Sequence, residues 1–389
     1  MAITDPESVL VLGAGVSKPF GLPLGGEVIS TLSSAIKTEI DNIYDERDFD
    51  SRNLKAQLRS ASRNIGSFGK FPIHGTMAIS HWNTSANEFD IEKLNNDLRN
   101  ARSLVELLDG QTSETIDDFI VENPTYAFLT KIGIASLFLN TCFEFAGNEM
   151  RVRAFSARHY PADDSPTHKN RNWAHLLINI IRHGIRSGTV TPDNKIKIIT
   201  FNYDKVLEFV LEQQFSNTEA VYDHYTDYID ILHVHGECGD LGNPRSGAPA
   251  ENCLAWAGGI HVVNEGNVPE HIEGVRRAAK KIIQSATELY FCGFSFSGPN
   301  CRLLGLNEPN SNLDERLISY CNYDGNVGIS KKVEEYELLQ HPLKSSAIGA
   351  IPSKRGQVLT KIEVAAGTID KPIGVSDWLK LGYLGELPG

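Results

Sequence analysis

Along the chain, apolar and polar positions change period in a way that marks out alternating strands and helices. Val9 to Leu12 form an unbroken apolar run that stops at glycine, as a parallel strand buried on both faces does. From Glu27 onward, Val28, Leu32, Ile36, Ile40 and Ile43 return every three or four residues, the stripe of an amphipathic helix. The next run of strand quality is KIKIITF (195–201). It leads to a helix at KVLEFVLEQQF (205–215) and a strand at DILHVHG (230–236). A loop rich in Gly, Pro and Asn is expected over 239–250, then a helix at EHIEGVRRAAKKIIQSA (270–286). Strands at ELYFCGF (288–294) and RLISYCNY (316–323) close the series. Between the first helix and KIKIITF, KIGIASLFLNTCFEF (131–145) and RNWAHLLINIIRHGI (171–185) read as helices. Polar, glycine-containing stretches near 45–75 and 160–170 flank them.

Strands alternating with crossover helices predict an α/β fold, a Rossmann-like parallel sheet with helices on both faces. The first strand-helix unit is cut off from the rest by a large helical insertion. The expected organisation is a core of residues 1–44 and 190–330, an insertion at 45–189, and a tail at 331–389 packed on the core or in oligomer contacts. Ligands on such sheets bind beyond the carboxyl ends of the strands. The polar residues of this chain gather there.

Composition narrows the classes. A formal charge of −12 argues against a broad nucleic-acid surface, because phosphate backbones demand lysine and arginine. The local patch RRAAKK (276–281) reads as the solvated face of a helix. No apolar run approaches the ~20 residues of a membrane span, and MAITDPES has no basic n-region of a signal peptide. The six cysteines sit mostly in apolar stretches with no CxxC pair, which suits buried thiols in a reducing cytoplasm.

The first strand runs into VLVLGAGVSKPFGLP (9–23). Gly13 and Gly15 permit a sharp turn and a close approach to a pyrophosphate, with helix N–H groups following; a simple tight turn accounts for them equally well. Lys18 stands where GxGxxG needs its third glycine, and no second strand ends in an acid about 20 residues on. GxxxxGK[ST] is also absent. ITFNYD (199–204) ends a strand with Asn202 and Asp204, LHVHG (232–236) ends another with His235 and Gly236, and FCGFSF (291–296) a third. Each alone reads equally as turn chemistry, but together they would converge on one crevice. His233, on the same strand face as His235, would make a His-x-His pair, yet no third ligand is evident and no metal is expected.

GAGVS, FNYD, HVHG and the Gly-Phe-Ser strand end, in this order, resemble the NAD-binding core of sirtuins, and more closely the sirtuin-like NADases of bacterial antiphage defence. The likeness spans about 9–30 and 195–325. It implies that Gly13, Ala14, Gly15 and Ser17 cradle the phosphates, with Pro23 nearby. Asn202 holds water or a ribose hydroxyl, Asp204 orients the nicotinamide end, and His235 is the general base. Gly293, Phe294 and Ser295 line the adenosine side, and Asn322 contacts its ribose. Deacylating sirtuins carry Asp-Phe-Arg after the turn and a zinc ribbon of paired CxxC motifs; this chain has LGGE and no ribbon. That points away from deacylation and toward water.

The chemistry expected is NAD glycohydrolysis to ADP-ribose and nicotinamide, with NAD+ as substrate. Cleavage builds oxocarbenium character on the ribose, as in glycoside hydrolysis. His235 accepts a proton near cell pH, Asn202 positions, and Asp204 offsets positive charge. A silent NAD- or ADP-ribose-binding scaffold is the alternative. The resemblance further implies a homo-oligomer and an activating partner, such as a hexameric HerA-type ATPase or an Argonaute.

Overall fold

The computed structural model describes residues 3–45, 56–60, 68–80, 82–83, 88–89, 91–110, 113, 115–146, 149–152, 173–216, 224–239, 249–306 and 317–321. Five strands form its main sheet: β1 (Ser8–Leu12), β2 (Ile196–Thr200), β3 (Ile229–His233), β4 (Glu288–Cys292) and β5 (Leu317–Cys321). They lie in the order β3-β2-β1-β4-β5, every pair parallel. β1 is central, with Val11 in register with Ile199 on one side and Phe291 on the other.

Ten helices among the described residues surround it: α1 (Gly25–Asp45), α2 (Pro72–Ser80), α3 (Ile91–Gly110), α4 (Ile116–Glu122), α5 (Ala127–Cys142), α6 (Trp173–Ser187), α7 (Val206–Ser216), α8 (Pro249–Gly259), α9 (Glu270–Ser285) and α10 (Gly298–Leu304). The strand period of two divides the core. Leu10, Leu12, Ile196, Ile198, Tyr290 and Cys292 point into one apolar cluster. Val9, Val11, Ile199, Leu289 and Phe291 point into another. The second is covered by Ala279 and Ile283 of α9 and Cys301 and Leu304 of α10. The first is much larger, and residues of α3, α4, α5 and α6 are continuous in it with the sheet. Helices α3 to α6 therefore share one buried core with the β1 face.

All five stripe residues of α1 are buried, each contributing about 1.5–3 kcal/mol by leaving water. Glu27 starts the helix by accepting the Leu24 N–H at 3.0 Å, half of a capping box. Lys18, at the absent third glycine, pairs with Glu27. Together with the Leu24 amide it holds the Glu27 carboxyl below its ordinary pKa, against burial, which by itself raises it.

Four expectations need correction. The helix expected over 131–145 runs from Ala127 and stops at Cys142; Phe143–Ala146 instead pairs antiparallel with Glu149–Val152. The loop expected over 239–250 gives way at Pro249 to α8. β3 ends at His233, so His235 lies in the turn beyond it rather than on a shared strand face. In RRAAKK, Arg277 and Lys281 are exposed, but Arg276 is buried and bonded to three backbone carbonyls. Cys142, Cys238, Cys253, Cys292 and Cys301 are all buried, and none of the five is in a disulfide.

Candidate active site

The loops after β1, β2, β3 and β4 meet at one end of the sheet. The glycine turn after β1 is a short 3-10 segment, Ala14–Val16, followed by a second at Lys18–Phe20. Its backbone lies against the turn after β4. The Gly13 N–H donates to Cys292 O at 3.0 Å and the Gly15 N–H to Gly293 O at 3.1 Å. A Cβ on Gly13 would stand 2.4 Å from Gly293 O, and one on Gly293 2.6 Å from Gly15 Cα. Gly293 also has φ +61°, a left-handed conformation that suits glycine. The three glycines thus serve backbone-to-backbone approach, and the amides of Gly13 and Gly15 are engaged by the protein itself. Ala14 is half-buried beside them.

Ser17, at the end of this turn, joins the residues after β2. Ser17 Oγ donates to Asp204 Oδ2 at 2.8 Å, and Asn202 Nδ2 donates to Ser17 Oγ at 2.9 Å. Asp204 Oδ1 accepts the Val206 N–H at 3.1 Å and so also caps α7. Burial lifts the Asp204 carboxyl to about 6, although the bonds from Ser17 and Val206 pull the other way. Asn202 Oδ1 is buried with no hydrogen-bond partner among the described residues. An orphaned acceptor of this kind is costly unless something else fills it. These side chains line a cleft together with Phe20, Trp173, Thr200 and Glu208. Trp173 of α6 holds the glycine turn by donating Nε1–H to Val16 O at 3.0 Å.

Behind Asn202, His233 is sandwiched between Asn202 O (3.1 Å from Nδ1) and the Glu208 carboxylate, which it meets through Nε2. Burial disfavours its charge, but the Glu208 bond and charge outweigh this and raise its pKa. His233 is a bridged core histidine.

His235 sits apart from the cleft, 1 % exposed. Its ring stacks on Tyr203 with centroids 5.7 Å apart and takes the edge of Phe201 at 5.1 Å. Neither ring nitrogen makes a hydrogen bond of good geometry among the described residues. Asp117 Oδ2, from α4, lies 3.5 Å from Nδ1. Burial lowers the His235 pKa and Arg276 adds to this, while Asp117 and Asn300 oppose it; the imidazole is neutral at pH 7. The turn that carries it is fixed by backbone: Arg276 Nε donates to Val234 O at 2.9 Å, and the His261 N–H to His235 O at 2.7 Å.

The structure therefore brings Ser17, Asn202 and Asp204 into one hydrogen-bonded group, with His235 one aromatic layer away. Gly13, Gly15 and Gly293 form the neighbouring backbone contact. Phe294 faces inward, 4.9 Å from the Phe201 ring in an aromatic cluster with Phe291 and Phe296. Ser295 is exposed and Pro23 half-buried. Asn322 and the 331–389 tail lie outside the described residues. Sequence reading missed Asp117, Trp173, Glu208 and Arg276. Glu208 had a signal, since Asp204 and Glu208 are four apart at a helix start and share a face. Asp117 had none, because its partners Tyr203 and His235 are far away in sequence. Among the described residues no group of three or more His, Cys, Asp or Glu is placed to hold a metal ion. No described helix is long and apolar enough to cross a membrane. Compared with known proteins, the chain matches no family model and no curated relative.

Proposed function

We propose that the chain is an NAD glycohydrolase that splits NAD+ and water into ADP-ribose, nicotinamide and a proton. The observation that carries the reading is the Ser17–Asn202–Asp204 group at the carboxyl edge of the parallel sheet, with the Asn202 carbonyl unpaired among the described residues and a neutral histidine one aromatic layer away. Asn202 Oδ1 is free to accept a ribose hydroxyl or the attacking water. Asp204, carrying negative charge above about pH 6, offsets the positive charge that develops on the ribose. As the C1′–N bond breaks, its electron pair neutralises the nicotinamide nitrogen. Water bonds to C1′ and gives its proton to His235. With the Gly13 and Gly15 amides engaged, the pyrophosphate must be met by other groups or by an opened turn. The sirtuin-like motif order supports NAD as the substrate, and a defence role with an activating ATPase or Argonaute rests on that likeness alone.

One observation favours the second reading, a silent NAD- or ADP-ribose-binding subunit. His235 is sealed by Phe201 and Tyr203, as expected of a subunit that binds the nucleotide without turning it over. Chromatography of NAD incubated with the protein separates the two. Nicotinamide and ADP-ribose from wild type, falling at least about 100-fold in Asn202→Ala and His235→Ala, supports the hydrolase. Saturable NAD binding without products supports the silent subunit.

A further inference from the structure

Among the described residues of the helical insertion, Asp117 is the carboxylate that reaches His235. Thr115 Oγ1 accepts the Asp118 N–H at 3.2 Å and caps α4, fixing the first turn that carries Asp117. One oxygen of Asp117 accepts the Tyr203 hydroxyl, while the other lies 3.5 Å from His235 Nδ1. Burial and the Asp117 charge hold the Tyr203 pKa well above its ordinary value, so that hydroxyl keeps its proton and donates. Tyr203 in turn stacks on the His235 ring. Tyr203 from the loop after β2 and His235 from the turn after β3 thus close on the Asp117 carboxylate of α4. The charged groups facing His235 are Asp117 from α4 and Arg276 from α9.

We propose that Asp117 is the positioning residue for His235. Its carboxylate faces Nδ1 and selects the tautomer protonated there, which leaves the Nε2 lone pair as the base. At 3.5 Å the carboxylate is in electrostatic reach of Nδ1, just beyond a formed hydrogen bond. The insertion is then part of the catalytic apparatus. This rests on the glycohydrolase reading for its catalytic consequence, whereas the coupling of Asp117 to His235 does not.

The test is an NMR titration of the His235 ring in the full chain, assigned with His235→Gln, beside pH profiles of NAD cleavage. In Asp117→Asn, whose amide still accepts from Tyr203, His235 is expected to titrate about 1 unit lower. The acid limb of kcat moves down with it, and kcat falls about 10- to 100-fold, part of what a general base supplies. Tyr203→Phe, which keeps the stacked ring and frees the carboxylate, moves the His235 titration upward. It stands in should Asp117→Asn fail to fold. An unmoved titration overturns the inference even if the enzyme cleaves NAD. A moved one in a protein that never cleaves NAD upholds it and sinks the glycohydrolase reading instead.

Discussion

Asp204 answers to two structures at once, because one oxygen caps α7 and the other holds Ser17. Burial raises its folded pKa to about 6 against 3.8. Below the unfolded value both states are protonated. Between the two values only the unfolded chain is ionised, so stability falls as pH rises through that window and levels off above 6. Asp204→Asn removes the titration but keeps only one acceptor, its Oδ1 for the Val206 N–H, while its Nδ2 faces Ser17 Oγ, so the variant is read by its pH dependence and not by its absolute stability. Relative to wild type it should therefore gain about 2–3 kcal/mol between pH 4 and pH 7. Urea midpoints at the two pH values measure this, and an unchanged difference would show that the carboxylate is not desolvated. The choice of Asn202, Asp204 and His235 was legible because polar residues ending apolar runs stand out. What they touch was not, since strand-end spacing says nothing of the 187 residues separating Ser17 from Asp204.

At the level of elements, strong periodicity was readable and its absence misled. The α1 stripe, α6, α7 and α9 declared themselves, and the five sheet strands did so as apolar runs bounded by polar residues. α8 did not. Pro249, Ala250, Asn252, Cys253, Trp256 and Ala257 are all buried, so the helix lacks a clean polar face. Its small residues after a glycine-rich stretch look like loop. The short ribbon at Phe143–Ala146 was lost inside the helical pattern before it, too brief for a period of two to register. Element ends also carry measurable weight. Thr115→Ala removes the α4 cap and should cost about 1 kcal/mol, seen as a lower urea midpoint at unchanged slope. No change would mean that α4 is held by packing alone through Ile116, Phe119 and Ile120.

Across the whole molecule, the sheet has unequal coats. α9 and α10 cover one face, whereas the other shares one buried cluster with the insertion. The α/β core was visible in sequence, but that α4 places a carboxylate 3.5 Å from His235 was not. A chain lacking residues 91–142 would bare Leu32 and the rest of the α1 stripe to water and is expected to show no cooperative unfolding transition by calorimetry. A sharp melt from that shortened chain would instead mark the insertion as separable.

The central place of β1 sets a timetable as well as an architecture. β1 emerges first from the ribosome, yet its two neighbours are β2 and β4, whose partner residues are Ile199 and Phe291 for Val11. At about 5–20 residues per second, the nascent strand waits on the order of 15–60 s before both edges are paired. Pairings so distant in sequence are also slow to close. The growing chain therefore carries its most apolar sheet strand without one partner until Glu288–Cys292 is made, and its yield of native protein should depend on holdase chaperones far more than its final stability does.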